Sequence, residues 1–466
     1  MDSQFDIFKR SFNYLFAILG QKAITTAIHL LKHPIFIFYL GTSMYGEWLL
    51  LMTLPAFLSL YEIGFSTAAI NSISMAYAKN NIRLCKKIFF SILITLLIFA
   101  SLLFLFSYLV IINFNFLGNY FDIVTENEAK IYVLLVVAYL IMGNISGYFS
   151  TLLHTIKLYS YSVNLKNIFI ILEFIASILS LIFYKEFIFI LISLLIVRFF
   201  RIIFMIIISF KKIYWIEFNF KLFSFDEIKK LFIPSVTFLF PPIIIILKSQ
   251  AIIFVIAYYY ESSLITAFVL MLTLSRLLVP IGTLMANSLK IELNQLYSKG
   301  EIKNVLRIFF FHIQIVLYLL IIFYVLLLLM GSNIFFYWTL DKVNFDPLIF
   351  LILCTSSFLA AISGPIQLII YGTNNHSLYS TYLFIVHLII FAISIFLFKY
   401  LNMITAPIAI LAMEFFTVTF AILFTSTITK KSTLFILINS IKLPRINKLI
   451  TFSKEVLKNY RSKIKI

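Results

Sequence analysis

Seven basic and three acidic side chains lie inside long apolar stretches, and these are the positions at which the chain can do chemistry: Lys22, Lys32, Lys166, Arg198, Arg201, Lys248 and Arg276 against Glu62, Glu173 and Glu414. An ionisable group at mid-bilayer costs about 2.5 to 3.5 kcal/mol on insertion scales, so it faces a cavity or a partner. Structural ion pairs alone would come nearer to balance. The surplus of about four cations predicts a cavity that receives an anion. Lysine brings a point charge to such a site, and arginine a planar fork that fits phosphate oxygens. Arg198 and Arg201 stand one helical turn apart, and Lys248 follows Pro241 and Pro242, a pair expected to bend a helix. Lys22, Thr25, Thr26, His29, Lys32 and His33 recur at helical spacing and form one stripe unsuited to lipid. Lys166 lies near an expected helix end, from which it can snorkel to the headgroups. The expected anion-binding set is Lys22, His29, Lys32, Arg198, Arg201, Lys248 and Arg276. Glu62, Glu173 and Glu414 either pair with these cations or titrate with a coupling ion.

Covalent chemistry has no comparable set. The chain holds no Gly-rich phosphate loop, no His-Glu-x-x-His helix and no nucleophile elbow. Cys85 and Cys354 are too far apart in sequence to suggest a metal pair or a disulfide framework. Of six histidines only His29 and His33 share a face. No catalytic residue, metal or cofactor is expected, and translocation is the function that remains.

The elements that must position these residues follow from composition. The chain has 466 residues, 62% hydrophobic and 12% charged, and an ordinary soluble domain has about 45–50% and 25%. A soluble globular enzyme is excluded. The net charge of +18 does not mark a nucleic-acid binder, because the basic residues fall between apolar runs. A helix crosses a bilayer with about 20 apolar residues. Such runs occur near 12–37, 47–70, 88–112, 131–153, 161–183 and 187–209, then near 231–257, 262–287, 306–330, 347–371, 377–398 and 403–428. The predicted fold is therefore an all-α polytopic membrane protein of twelve transmembrane helices.

Lys and Arg favour cytoplasmic loops. On the side shared by both termini 26 of them collect, and on the other side four: Lys130, Lys185, Lys342 and Lys399. Both termini are expected in the cytoplasm. Each half carries a basic loop after its second helix, Lys79 to Lys87 and again Lys290 to Arg307. This suggests two six-helix bundles, 1–210 and 211–430, as parallel pseudo-repeats around a central cavity, an arrangement used by carriers with alternating access. The tail, 431–466, is basic and too short to span; an interfacial amphipathic helix or a disordered extension would both suit it.

At 39–74 the chain contains Tyr39-Leu40-Gly41-Thr42-Ser43-Met44-Tyr45-Gly46-Glu47-Trp48 and, further on, Glu62-Ile63-Gly64-Phe65 and Asn71. This resembles the polysaccharide repeat-unit flippases (Wzx-type, O-antigen translocases) of the multidrug/oligosaccharidyl-lipid/polysaccharide exporter superfamily. Tyr39, Leu40, Gly41, Tyr45, Gly46 and Trp48 match that family's first external loop and the entry to its second helix. Gly64 and Asn71 match the later part of that helix, and Glu62 stands where the family usually shows Asp. Beyond residue 75 the likeness is one of architecture.

The resemblance implies a bacterial inner-membrane carrier that moves an undecaprenyl-diphosphate-linked oligosaccharide to the periplasmic leaflet, exchanged against a proton or sodium ion. Its implied partners are membrane lipids and, as candidates, a polysaccharide polymerase and a chain-length regulator. A diphosphate suits the surplus cations. Gln21, Thr25, Asn164, Asn167, Asn287 and Gln367 would face sugar hydroxyls. Two rivals are weighed against this. A multidrug exporter of the same superfamily usually carries cations, which surplus Lys and Arg would repel. A membrane glycan polymerase or glycosyltransferase commonly needs a large outer loop, and the longest here, 113–130, has 18 residues.

Overall fold

The computed structural model describes residues 4–442 except 114, 116, 238, 284–292, 294–295, 298–299 and 374–375. The expectations placed on Asn287 and on the tail beyond Lys442 lie outside those residues, as does the side chain of Glu62. Among the described residues every regular element is a helix, the form in which a segment in lipid satisfies its own backbone groups.

Helix α1 (Gln4–Leu40) runs unbroken through Pro34. Proline has no N–H to give the carbonyl four residues back, so Leu30 O lacks that partner; the indole Nε1 of Trp338 donates to it instead at 2.7 Å. Gly41, at φ +78°, turns the chain into α2 (Thr42–Leu51), a left-handed conformation that glycine adopts without strain. The expected second span is broken: α2 is followed by α3 (Leu54–Leu58), with proline in its first turn, and α4 (Leu60–Ala78). Long helices follow in α5 (Ile82–Asn113), α6 (Glu126–Thr155), α7 (Tyr159–Tyr184) and α8 (Phe187–Lys212). Thr125 and Glu128 form a capping box at the start of α6.

Helix α9 (Phe225–Thr237) precedes α10 (Phe240–Ile246), which begins with Pro241 and Pro242. In a first turn no N–H is needed, so the proline pair starts a helix where the sequence predicted a bend within one. A further irregularity follows in a π-helical turn, Leu247–Ala251, ahead of α11 (Ile252–Tyr259). Helix α12 (Ser262–Ser275) passes through a 3-10 turn, Arg276–Leu278, into α13 (Val279–Thr283). The remaining helices are α14 (Ile302–Thr339), α15 (Pro347–Gly372), α16 (His376–Leu401), α17 (Thr405–Thr429) and α18 (Thr433–Ile441).

Ten described segments are long and apolar enough to cross a membrane, and the last of them, Ser377–Thr429, holds both α16 and α17. With those two counted apart and the broken α2–α4 stretch included, the described crossings number twelve, as expected. By packing, the chain forms two compact units: Met1–Leu270 with Phe336–Asn344, and Met271–Phe335 with Phe345–Ile466. Part of the first unit's core is aromatic, with Phe89 stacked on Tyr148 and set edge-on to Phe149 and Trp215.

Candidate functional site

In the first unit the charged residues of α7 and α8 converge on α6. Arg198 donates from Nε to Glu173 Oε1 at 2.7 Å and from Nη2 to Glu173 Oε2 at 3.3 Å. Nη2 also donates to the Tyr139 hydroxyl at 2.7 Å, and that hydroxyl donates to Glu173 Oε2 at 2.8 Å. The guanidinium lies 3.9 Å from the centre of the Tyr139 ring. Space for it comes from Gly143, where a Cβ would lie 1.8 Å from Arg198 Nη1. Arg198 is thus bound within the protein, where the sequence predicted a cation available to a ligand.

Arg201, one turn further along α8, is 5% exposed. Its Nη1 is 4.0 Å from Glu173 Oε1, and its buried Nε has no hydrogen-bond partner among the described residues. Lys32 on α1 and Lys166 on α7 also feel the field of Glu173. Two arginines therefore share one carboxylate. A buried ion pair is stabilised when both charges are fully satisfied, and here only Arg198 is.

The α1 stripe divides along its length. Lys22 and His29 are exposed, and Lys32 is half-buried with Nζ 4.8 Å from the Phe36 ring and 5.3 Å from Trp48. His33 is buried; its Nδ1 lies 2.6 Å from the Tyr45 hydroxyl and its ring sits edge-on to Trp338 at 5.3 Å. Lys248 is half-buried in the π turn, and such turns often mark functional sites in helices.

In the second unit Arg276 opens the 3-10 turn and feels the charge of Glu414, which is 6% exposed on α17. Nearby polar groups also tie α16 to α17. The Tyr379 hydroxyl donates to Thr417 O at 3.3 Å, and His387 Nε2 lies 3.3 Å from Thr417 Oγ1. Helix α13 approaches α15 so closely that a Cβ on Gly282 would lie 1.9 Å from Ala361 O. The structure thus gathers Lys32, Arg198, Arg201 and Glu173 in one unit and Arg276 with Glu414 in the other.

Two carboxylates outside the expected set organise the short helices. Glu47 is fully buried and accepts from the backbone N–H groups of Asp122, Ile123 and Val124 at 2.7, 2.6 and 3.0 Å. Asp122 accepts from the N–H and the hydroxyl of Ser262, both at 2.7 Å, and so caps α12. Gly46 makes the contact possible, because a Cβ there would lie 1.8 Å from Ser262 O. Trp48 packs on Phe36 and Phe187. Each residue of the Tyr45-Gly46-Glu47-Trp48 run thus has a packing role. Its sequence signal was a glutamate at the edge of an apolar run. Among the described residues no group of three or more His, Cys, Asp or Glu side chains could hold a metal.

No protein-family model matches the chain, and no curated protein matches it by sequence. Solved structures do match. An inward-facing multidrug resistance MATE family transporter of the MOP superfamily aligns at TM-score 0.68 and 13% identity, over 89% of this chain and 99% of that one. The lipid II flippase MurJ, in an inward closed conformation, aligns at 0.66 and 16%, over 95% and 93%. A MOP superfamily transporter from Pyrococcus furiosus, described as having a binding pocket of reverse polarity, aligns at 0.61 and 13%, over 91% and 97%. At such identities it is the fold that is established: this chain is a multi-pass membrane protein with the fold of the MOP superfamily transporters.

Proposed function

We propose that this chain is a flippase of the Wzx type. Its cargo is an undecaprenyl-diphosphate-linked oligosaccharide repeat unit, O-antigen or a related polysaccharide, moved from the cytoplasmic to the periplasmic leaflet of a bacterial inner membrane. The observation that carries the reading is the unmatched guanidinium in the first unit: Arg201 stands 4.0 Å from a carboxylate already bound to Arg198, and its buried Nε has no partner among the described residues. A diphosphate supplies the missing negative charge, and its oxygens accept from a guanidinium Nε left without a partner. The fold shared with a lipid II flippase supports a lipid-linked cargo. Both termini lie in the cytoplasm, and the two six-helix halves, 1–210 and 211–430, alternate access to the site. Lys248, Lys22 and His29 extend the cationic set of the first unit, Arg276 is the candidate cation of the second, and Glu62, Glu173 and Glu414 pair with these cations or carry the coupling ion. The product enters a membrane polymerase with its chain-length regulator.

Deletion of the gene tests the reading. Lipid-linked repeat units should accumulate on the cytoplasmic side and surface polysaccharide should disappear. Normal surface polysaccharide with no accumulated intermediate would refute it. The likeness to a multidrug resistance transporter favours one second reading, drug export. Cationic drugs are repelled by this lining, so an exporter reading requires that overexpression raise resistance to such drugs.

A further inference from the structure

Between α8 and α9 the chain runs from 213 to 224 without crossing anything, and its side chains take two opposite sides. Ile213, Trp215 and Ile216 are buried. The Lys86 ammonium donates to Glu217 Oε2 at 2.5 Å and Ser224 N–H donates to Ser91 Oγ at 2.8 Å, so the segment is pinned along α5. Asn219 Nδ2 adds a bond to Glu217 Oε1 at 3.3 Å. The other side is aromatic: Tyr214 is 74% exposed and Phe220 82%, with Phe218, Phe223 and Phe225 also exposed. Lys211, Lys212 and Lys221 are exposed among these rings. Glu217 is neutralised by Lys86, and Glu227 by Lys230 at 2.7 Å, which leaves Asp226 as the remaining acid of the stretch.

Bare rings in such number call for a covering phase. The centre of a protein interface is depleted in charge, whereas here lysines alternate with rings. The segment also leaves the end of one crossing helix and leads into the next, the height at which aromatic side chains sit among headgroups. We propose that 211–225 is an interfacial anchor, its rings seated in the headgroup layer and Lys211, Lys212 and Lys221 holding anionic phospholipid. The proposal is independent of the cargo.

The test uses the full-length protein in phosphatidylglycerol/phosphatidylethanolamine liposomes, with a spin label on Phe220→Cys and separately on Tyr214→Cys; Cys85 and Cys354 are both buried. At both positions oxygen should relax the label more than a water-soluble nickel chelate. A second arm counts the phosphatidylglycerol retained over phosphatidylcholine by native mass spectrometry. Each surface lysine contributes about 1 kcal/mol toward an anionic leaflet. Replacing Lys211, Lys212 and Lys221 with Gln should therefore lower that preference by about fivefold per lysine. Nickel-dominated relaxation at both labels, or unchanged preference in the triple variant, overturns the anchor.

Discussion

Glu173 decides what the arginine pair of α8 can do. Both its oxygens are engaged by Arg198 and one also by Tyr139, while Arg201 stands at 4.0 Å with its Nε unmatched. Removing one partner of a buried pair leaves the other charge uncompensated, at about 3–5 kcal/mol. Glu173→Gln is therefore expected to lower the thermal unfolding midpoint sharply in detergent. Arg201→Gln removes a cation without breaking the Arg198 pair, so its midpoint should hold while lipid-linked sugar translocation in vesicles collapses. A midpoint loss as large as that of Glu173→Gln would make Arg201 structural. Gly143→Ala would push a methyl into the Arg198 guanidinium, and overpacking of this kind costs about 1–3 kcal/mol, read in the same melting experiment. The charge surplus was legible in the sequence because lysines and arginines cannot hide in an apolar run. The choice of partners was not. Tyr139 is one of 26 tyrosines and lies 34 residues from Glu173 and 59 from Arg198. The role of Glu47 was not legible for another reason: its partners are backbone N–H groups, which composition does not report.

At the level of elements, Asp122 ties the loop before α6 to the first turn of α12, and Glu47 holds that loop from α2. Losing a side-chain cap costs about 0.5–2 kcal/mol. Asp122→Ala should lower the melting midpoint accordingly, whereas Gly46→Ala must displace α2 from Ser262 and should lower it further. If Asp122→Ala melts like the parent, the cap does not hold α12. The connecting segment carries its own pH dependence. Lys86 and Asn219 hold the Glu217 carboxyl below its usual value. Because the folded value is the lower one, the bridge contributes fully above the unfolded value of about 4.3. Its contribution fades as the pH falls through the folded value. Melting of the parent and of Glu217→Gln should therefore differ at neutral pH and converge in acid. Most helices were legible from hydropathy, since a segment in lipid can satisfy its backbone only internally. The second span broke at Pro55, and the π and 3-10 turns at Lys248 and Arg276 were not legible. Backbone hydrogen-bond register is set by packing, for which a single sequence carries no periodic signal.

For the whole molecule, the proposed orientation rests on the distribution of 37 basic residues and the preference of Lys and Arg for the cytoplasmic side. Alkaline phosphatase fused after Lys185 or Lys342 should be active, and fused after Lys442 inactive, with a fluorescent protein giving the opposite pattern. Orientation then constrains energetics. A dianionic headgroup moved outward down its own gradient needs no coupling, but a site with surplus cations holds it tightly, and release needs the site to change charge or shape. A coupling ion supplies that change only by binding one state better than the other. On the proposed function, Glu414 is the candidate for this role, buried on α17 within the field of Arg276. Exchange against the cargo requires the proton to enter from the outer side as the cargo leaves and to depart on the inner side before the next cargo is taken up. In inverted vesicles, dissipating the proton gradient should slow translocation in the parent. Glu414→Gln, fixed in the neutral form, should lose both turnover and sensitivity to the gradient. Parent rates that ignore the gradient would remove the proton as the coupling ion. A Glu414→Gln protein that still responds to the gradient would move the coupling to another acid.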